Sequence, residues 1–243
     1  MTRVALIPGG ARGIGRAIAC ALGARGWDVA ICYRTNHSDA ESLTATVAGA
    51  GGAALALACD VSTPQACAEA YASVIAWRGR VDALIYCAGP FHRIDLLSET
   101  PEDWRSTFAA NLDGLFYLSR LVAPGMMLRR WGRIIACATA NADRLMAQTQ
   151  ITAHYLAKVA LLGLIRSLAK ALAPSQITAN AISPGFIATG SAEMADLPQL
   201  TRTIPAGRIG SVDDVVGAAL YLLAEEAGYV NGTNLHVSGG WGI

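Results

Sequence analysis

Three glycines and two arginines near the start of the chain have the types and spacing to hold a phosphorylated ligand. Gly9, Gly13 and Gly15 form a Gly-x-x-x-Gly-x-Gly run that follows the apolar segment Val4 to Ile7 and opens a stretch of helical periodicity. A residue without Cβ permits a tight turn and lets the backbone approach a pyrophosphate. The first turn of the helix then offers unpaired N–H groups to the anion. The spacing is wider than the ordinary dinucleotide fingerprint, but its place between a first strand and a first helix points to a dinucleotide. Arg12 lies inside this turn and Arg34 just beyond the second apolar strand segment. No acidic residue stands at that strand end to accept hydrogen bonds from ribose hydroxyls. A guanidinium there pairs with a 2′-phosphate instead, so these residues favour NADPH over NADH.

The elements that must position this turn alternate along the whole chain. Strands are expected at 4–7, 28–33, 53–58, 83–87, 133–138, 177–182 and 234–237. Helices are expected at 14–25, 38–48, 64–77, 101–124, 152–171 and 213–224. The strand runs are continuously apolar rather than alternating, as in a parallel sheet covered on both faces. No linker interrupts the rhythm. The expectation is one doubly wound α/β domain, Rossmann-like, spanning 1–243, with a mostly parallel seven-stranded sheet. Residues 186–210 lack strand periodicity and fall where a substrate lid would sit. Met146, Phe186, Met194 and Leu197 are candidates for an apolar cleft beneath it, or for packing.

Composition narrows the function classes. The formal net charge is +1, without a basic block or acidic tail, so charge gives no sign of nucleic acid or membrane partners. No run of apolar residues is long enough to span a bilayer. The Gly-rich turn begins too early for a secretory leader's apolar region, and a cytoplasmic location is expected. The six cysteines lie in apolar segments without Cys-x-x-Cys spacing and read as reduced core residues; a metal site is not expected. Apolar residues reach 53% against 15% charged, which fits either burial between subunits or simple enrichment in alanine.

With these elements in place, the chain resembles the classical short-chain dehydrogenase/reductase family over its whole length, and within it the 3-oxoacyl-carrier-protein reductases. The family's TGxxxGxG turn maps to Pro8 through Gly15, with Pro8 in place of Thr and Ile14 inside the turn. Its NNAG motif maps to Tyr86-Cys87-Ala88-Gly89. Asp60 and Val61 match the adenine-contacting pair, and Asn111 matches the helix asparagine. Pro184-Gly185 match the PG motif, which implies Ile187 and Thr189 near the nicotinamide amide. Asn231-Gly232 through Gly239-Gly240 resemble the family's C-terminal stretch.

The resemblance also implies a catalytic Ser, Tyr and Lys, and here the match departs. Lys158 is present and is expected to bind the nicotinamide ribose as well. The serine position holds Thr139. Four residues before Lys158 stands His154, while Tyr155 is only three before it. On a regular helix His154 lies about 40° around the axis from Lys158, and Tyr155 about 60° away on the other side. Tyr155 takes the usual place only if the somewhat long segment before the helix, or a local bulge, shifts the register. A histidine there starts from a pKa near 6.5 rather than about 10, and a neighbouring Lys⁺ lowers it further.

Three readings remain open. The first is NADPH-dependent reduction of a carbonyl, a 3-oxoacyl thioester above all. In it Thr139 donates to the carbonyl oxygen, His154 or Tyr155 supplies the proton, and Asn111 anchors a water chain to Lys158. The second is a weakly active or inactive cofactor-binding subunit supporting an active homologue. The third is a reductase of another carbonyl, sugar or double-bond substrate. The family implies a homo-oligomer or a hetero-oligomer with a homologous reductase. Arg129-Arg130 is the one pair suggestive of a carrier protein or coenzyme A.

Overall fold

Continuously apolar segments can satisfy their backbone only by pairing with one another, and here they pair into one sheet. The computed structural model describes residues 2–190 and 197–242, with 197 and 198 described in backbone alone. The first half runs β1 (Val4–Pro8), α1 (Gly13–Gly23), β2 (Asp28–Tyr33), α2 (His37–Gly49), β3 (Ala54–Ala58), α3 (Pro64–Arg78) and β4 (Ala83–Tyr86). The second runs α4 (Pro101–Phe108), a π-helical turn (Ala109–Asp113), α5 (Gly114–Arg129), β5 (Gly132–Cys137), α6 (Thr152–Leu172) and β6 (Ile177–Pro184). It continues through β7 (Ile187–Ala188), α7 (Leu197–Thr203), β8 (Gly210–Ser211), α8 (Val212–Leu223) and β9 (Asn234–Val237).

Seven strands pair in the order β3-β2-β1-β4-β5-β6-β9, every pair parallel. One core lies between one face of the sheet and α3, α5 and α6, with Val74, Leu118 and Leu161 among its members. The other lies beneath α1, α2 and α8, with Ile18, Leu43 and Leu222. The expected seven-stranded Rossmann-like sheet is therefore present. The strand order reverses between β1 and β4, so the connections after these strands leave on opposite faces and open a crevice at their C-terminal ends.

Beyond shifts of one or two residues at several strand and helix ends, the structure differs from the sequence expectation as follows. Helix α1 ends at Gly23 rather than Arg25, because Trp27 N–H turns back to Leu22 O at 3.1 Å. The stretch expected as one helix to Pro124 is two helices joined by the π-helical turn, and α5 runs past Pro124 to Arg129. Pro124 costs one backbone hydrogen bond, but Val122 and Met126 on either side are fully buried and hold the helix on the sheet. Inside the excursion 186–210, its two ends pair as strands β7 and β8. Met194 lies outside the described residues, and Leu197 opens α7.

The N-terminal edge of the sheet is tied by a buried carboxylate. Asp82 is fully buried and accepts from Val4 N at 2.9 Å and from Arg80 Nε and Nη2 at 2.8 and 2.6 Å. Arg129 Nε stands 3.4 Å away on its other side. Asp82→Ala removes the acceptor of the buried Val4 amide, the carboxylate that Arg80 binds and the counter-charge beside Arg129. The expected loss is about 3–5 kcal/mol, read as a lower urea midpoint with an unchanged slope.

Candidate active site

The crevice beside β1 is a cleft of about 540 Å³. Of the residues assigned to the cofactor from sequence, Gly9, Arg12, Gly13, Ile14, Arg34, Asp60, Val61, Cys87, Ala88, Gly89 and Thr189 line it. Gly15, Lys158, Pro184, Gly185 and Ile187 do not. Gly9 sits at φ +77°, and a Cβ on it would lie 2.7 Å from Cys87 C, Cys87 O and Ala88 N. The turn after β1 thus presses on the strand end after β4. A Cβ on Gly15 would run into Gly9 O, so Gly15 lets α1 start directly against the turn. Gly13, at φ +52°, faces Thr189, which reaches over the turn from the segment after β7. Gly185 has a different task, since a Cβ there would stand 2.9 Å from Ser238, where β9 packs. Ile187 lines a separate, smaller cavity with Arg208, Asp214 and His236.

The end of the cleft beside β2 is cationic but partly engaged. Arg34 is exposed at the end of β2, beside Asp60. Burial opposes ionisation of Asp60, but hydrogen bonds from Ser62 and the charge of Arg34 hold its carboxyl below the usual value. Arg12 forms an ion pair with Asp39 in the first turn of α2. Sequence spacing gave no sign of that partner, because the contact joins two loops of different βα units.

At the other end of the cleft, Lys158 and His154 share one face of α6, and both are buried. Lys158 Nζ donates to Cys137 O at 2.8 Å, and burial lowers its pKa. His154 Nδ1 lies 3.3 Å from Pro90 O, and its ring stands edge-on to Phe91 at 5.1 Å between centroids. Burial, and then the charge of Lys158, lower the imidazole pKa to about 4. Asn111 donates through Nδ2 to the same Pro90 O at 3.2 Å and to Thr107 O at 3.0 Å. Its Oδ1 is buried without a hydrogen-bond partner among the described residues. The π-helical turn that carries Asn111 is braced by Tyr86, whose hydroxyl donates to Ala110 O at 2.6 Å. Pro90 and Phe91 were not singled out in the sequence, and their contribution is a carbonyl and a ring edge that only the folded loop brings to His154.

Tyr155 faces elsewhere. Its hydroxyl donates to Asn141 O at 2.8 Å and accepts from Met146 N at 2.9 Å, so it fastens the segment between β5 and α6. Helix α6 is regular from Thr152, without a bulge that would rotate Tyr155 onto the Lys158 face. Thr139 follows β5, half-buried, and its hydroxyl makes no hydrogen bond among the described residues. Met146 is exposed, and Phe186 packs on Trp241 with ring centroids 4.5 Å apart.

Comparison with known proteins places this geometry. A family model described as enoyl-(acyl carrier protein) reductase matches residues 9–242. The acetoacetyl-CoA reductase of Shinella zoogloeoides is 36% identical over 99% of this chain and 98% of its own length. The chain belongs to the short-chain dehydrogenase/reductase family. Among other members, the 3-oxoacyl-[acyl-carrier-protein] reductase of Escherichia coli K12 is 34% identical over 98% of this chain and 96% of its own. The solved short-chain dehydrogenase/reductase of Serratia marcescens superposes with a TM-score of 0.91 at 31% identity, covering 99% of this chain and 98% of that one. Membership makes the protein an oxidoreductase and supports a nicotinamide cofactor and a carbonyl reductase. Among the described residues, no helix is long and apolar enough to cross a membrane.

Proposed function

We propose that this chain is an NADPH-dependent reductase whose substrate class is a 3-oxoacyl thioester, with His154 in the proton-transfer position. The observation that carries this reading is the buried His154–Lys158 pair on one face of α6, with the imidazole fixed on the carbonyl of Pro90, a residue that lines the cleft. The cleft fits the nucleotide, since Gly9, with no Cβ to strike Cys87 and Ala88, lets the turn pack on the end of β4 while Gly13 and Ile14 at the start of α1 line the cleft. The bound nicotinamide supplies the hydride. The chain's own groups do the rest. Gly13, Ile14 and Gly15 present the start of α1 to the diphosphate. Asp60 and Val61 meet the adenine, and Cys87, Ala88 and Gly89 floor the ribose region. Thr189, which lines the cleft, meets the nicotinamide end, and Pro184, Gly185 and Ile187 support from outside the cleft the segment that carries it. Lys158 binds its ribose, and the free hydroxyl of Thr139 donates to the substrate oxygen. Asn111 steadies Pro90, and its unpartnered Oδ1 is the acceptor through which it would anchor a water chain toward Lys158.

Names borne by relatives support the acyl class: acetoacetyl-CoA and 3-oxoacyl-carrier-protein reductases both reduce a β-keto thioester. Exposed Phe91, which lines the cleft, fits an apolar substrate arm. Residues 1–243 act as one domain, 186–210 serve as the lid, and the working form is a cytoplasmic homo-oligomer. A specific observation favours a second reading, a support subunit of a mixed oligomer: the Tyr155 hydroxyl is wholly taken up by Asn141 and Met146. The two readings separate on one assay of the isolated chain with NADPH and a short 3-oxoacyl thioester. Turnover that disappears in His154→Ala supports the enzyme. Tight nucleotide binding without turnover on any carbonyl supports the subunit.

Cofactor choice has its own test. Arg34→Ala is expected to weaken NADPH binding about tenfold, the worth of one charge-assisted contact, and to leave NADH binding within about twofold. Fluorescence titration reads both. Equal losses for the two nucleotides would remove Arg34 from the 2′-phosphate site.

A further inference from the structure

We propose that Cys87 and Cys137 form a reversible modification site, a dithiol that a peroxide oxidises to a disulfide at the floor of the nucleotide cleft. Their Sγ atoms stand 3.3 Å apart. The two residues follow directly on the register pair Tyr86↔Ala136, at the ends of adjacent parallel strands β4 and β5. Neighbouring strands run about 4.8 Å apart, inside the Cα window of about 4.4–6.8 Å that a disulfide accepts. Bond formation therefore needs the sulfurs to close to about 2.05 Å without separating the strands. Cys137 is buried, but Cys87 is half-buried and lines the cleft, which gives a small oxidant a path to the pair.

The surroundings favour the thiolate on Cys137, whereas the hydrogen bond with Cys137 and burial push the Cys87 thiol up. The hydrogen bond from Cys87 lowers the Cys137 thiol pKa against the effect of burial, and the Lys158 ammonium, bonded to Cys137 O, lowers it further. In the other cysteine cluster, hydrogen bonds with Cys32 and Cys67 lower the Cys59 thiol pKa to about 4. Cys59 Sγ and Cys67 Sγ also donate to carbonyls, Ala66 O at 3.4 Å and Val61 O at 3.5 Å, so this cluster is the rival that the test must separate.

The chemistry balances with a hydroperoxide as oxidant. A thiolate sulfur of the pair attacks one peroxide oxygen and the O–O bond breaks. The departing hydroxide takes a proton and leaves as water, and the sulfur becomes a sulfenic acid. The second thiol then attacks that sulfur, the S–O bond breaks, and a second water leaves as the S–S bond forms. The two sulfurs are oxidised by two electrons, the peroxide is reduced, and an external thiol reverses the change. The disulfide draws the end of β4 toward β5, and with it Ala88 and Gly89 on the cleft floor.

The test uses the full chain with all six cysteines. The protein is treated with hydrogen peroxide at neutral pH, alkylated, digested and mapped by mass spectrometry. The expected product is a peptide pair cross-linked through Cys87 and Cys137, with the loss of two hydrogens, that disappears on treatment with dithiothreitol. In Cys87→Ser, which keeps a hydrogen-bond donor beside Cys137, dimedone is expected to trap Cys137 as the sulfenic acid, because its resolving thiol is gone. Both residues recovered as free alkylated thiols while Cys20 is oxidised would overturn the proposal. A cross-link among Cys32, Cys59 and Cys67 in place of this one would do the same. The mapping of the native chain needs no substitution, so a misfolded variant cannot mimic either result.

Discussion

Gly9→Val abolishes nucleotide binding and lowers stability by about 2–6 kcal/mol, the combined cost of a left-handed backbone and an overpacked contact. Gly9 holds φ +77°, a conformation that a β-branched residue resists strongly. A Cβ at this position also meets three backbone atoms of Cys87 and Ala88 at 2.7 Å. These atoms belong to the end of β4 and cannot rotate away as a flexible side chain can. Relief requires the turn to lift off β4, which moves the N–H groups that face the diphosphate. Gly13→Ala is the matched comparison. It shares a positive φ of +52°, but its nearest neighbour is the Thr189 side chain at 3.4 Å, an ordinary contact. Its expected cost is only about 1–3 kcal/mol, with weakened rather than absent binding. Urea denaturation and NADPH fluorescence titration measure both quantities. A Gly9→Val chain that binds NADPH as the native one does would remove the turn from the site.

The second large effect is expected at His154. His154→Ala lowers turnover by about 10²–10⁴-fold, the usual range for a positioned proton-transfer group. Tyr155→Phe leaves turnover near native and costs about 1–3 kcal/mol of stability, since Asn141 O loses its donor and Met146 N its acceptor. The reverse pattern would return the proton to the tyrosine. The pH dependence follows from geometry. Pro90 O can only accept, so the ring proton of neutral His154 sits on Nδ1 and Nε2 carries the lone pair. Nε2 in this state takes a proton from an alcohol, whereas giving one to a carbonyl requires the imidazolium. With a pKa of about 4, the imidazolium fraction grows about tenfold per pH unit as neutral solution is acidified. Carbonyl reduction is therefore expected to quicken toward pH 4, and alcohol oxidation to fade there. Stability moves the opposite way. The unfolded histidine, with a pKa near 6.5, binds more protons than the folded one between these values, so folding loses about 3 kcal/mol as pH falls from 6.5 to 4. His154→Ala removes that slope, which urea titrations at several pH values detect without any substrate.

Most of the fold is readable in the chain because its signals are local. Apolar runs bounded by Gly, Pro and Asp mark each strand of the sheet, and the glycine turn announces its place by following the first of them. The resemblance to reductases of the same family rests on short contiguous motifs of this kind. The departure at His154 is local too: a helix places residues four apart on one face, so its neighbourhood with Lys158 follows from spacing alone.

What the sequence left open depends on atoms far apart along it. Whether Tyr155 could reach the Lys158 face hung on a possible bulge, and the regular start of α6 closes that route. Its hydroxyl is claimed by backbone groups of Asn141 and Met146, which carry no side-chain signature. The imidazole is held by a carbonyl of Pro90 that also serves Asn111, and Arg12 is paired across two loops to Asp39. The contact between Cys87 and Cys137 exists only because two strands 50 residues apart lie side by side in register. Periodicity and turn chemistry are properties of neighbouring residues and survive in one dimension. Hydrogen-bond partners, burial and the pKa values they set are properties of distance in space, and only the folded sheet fixes them.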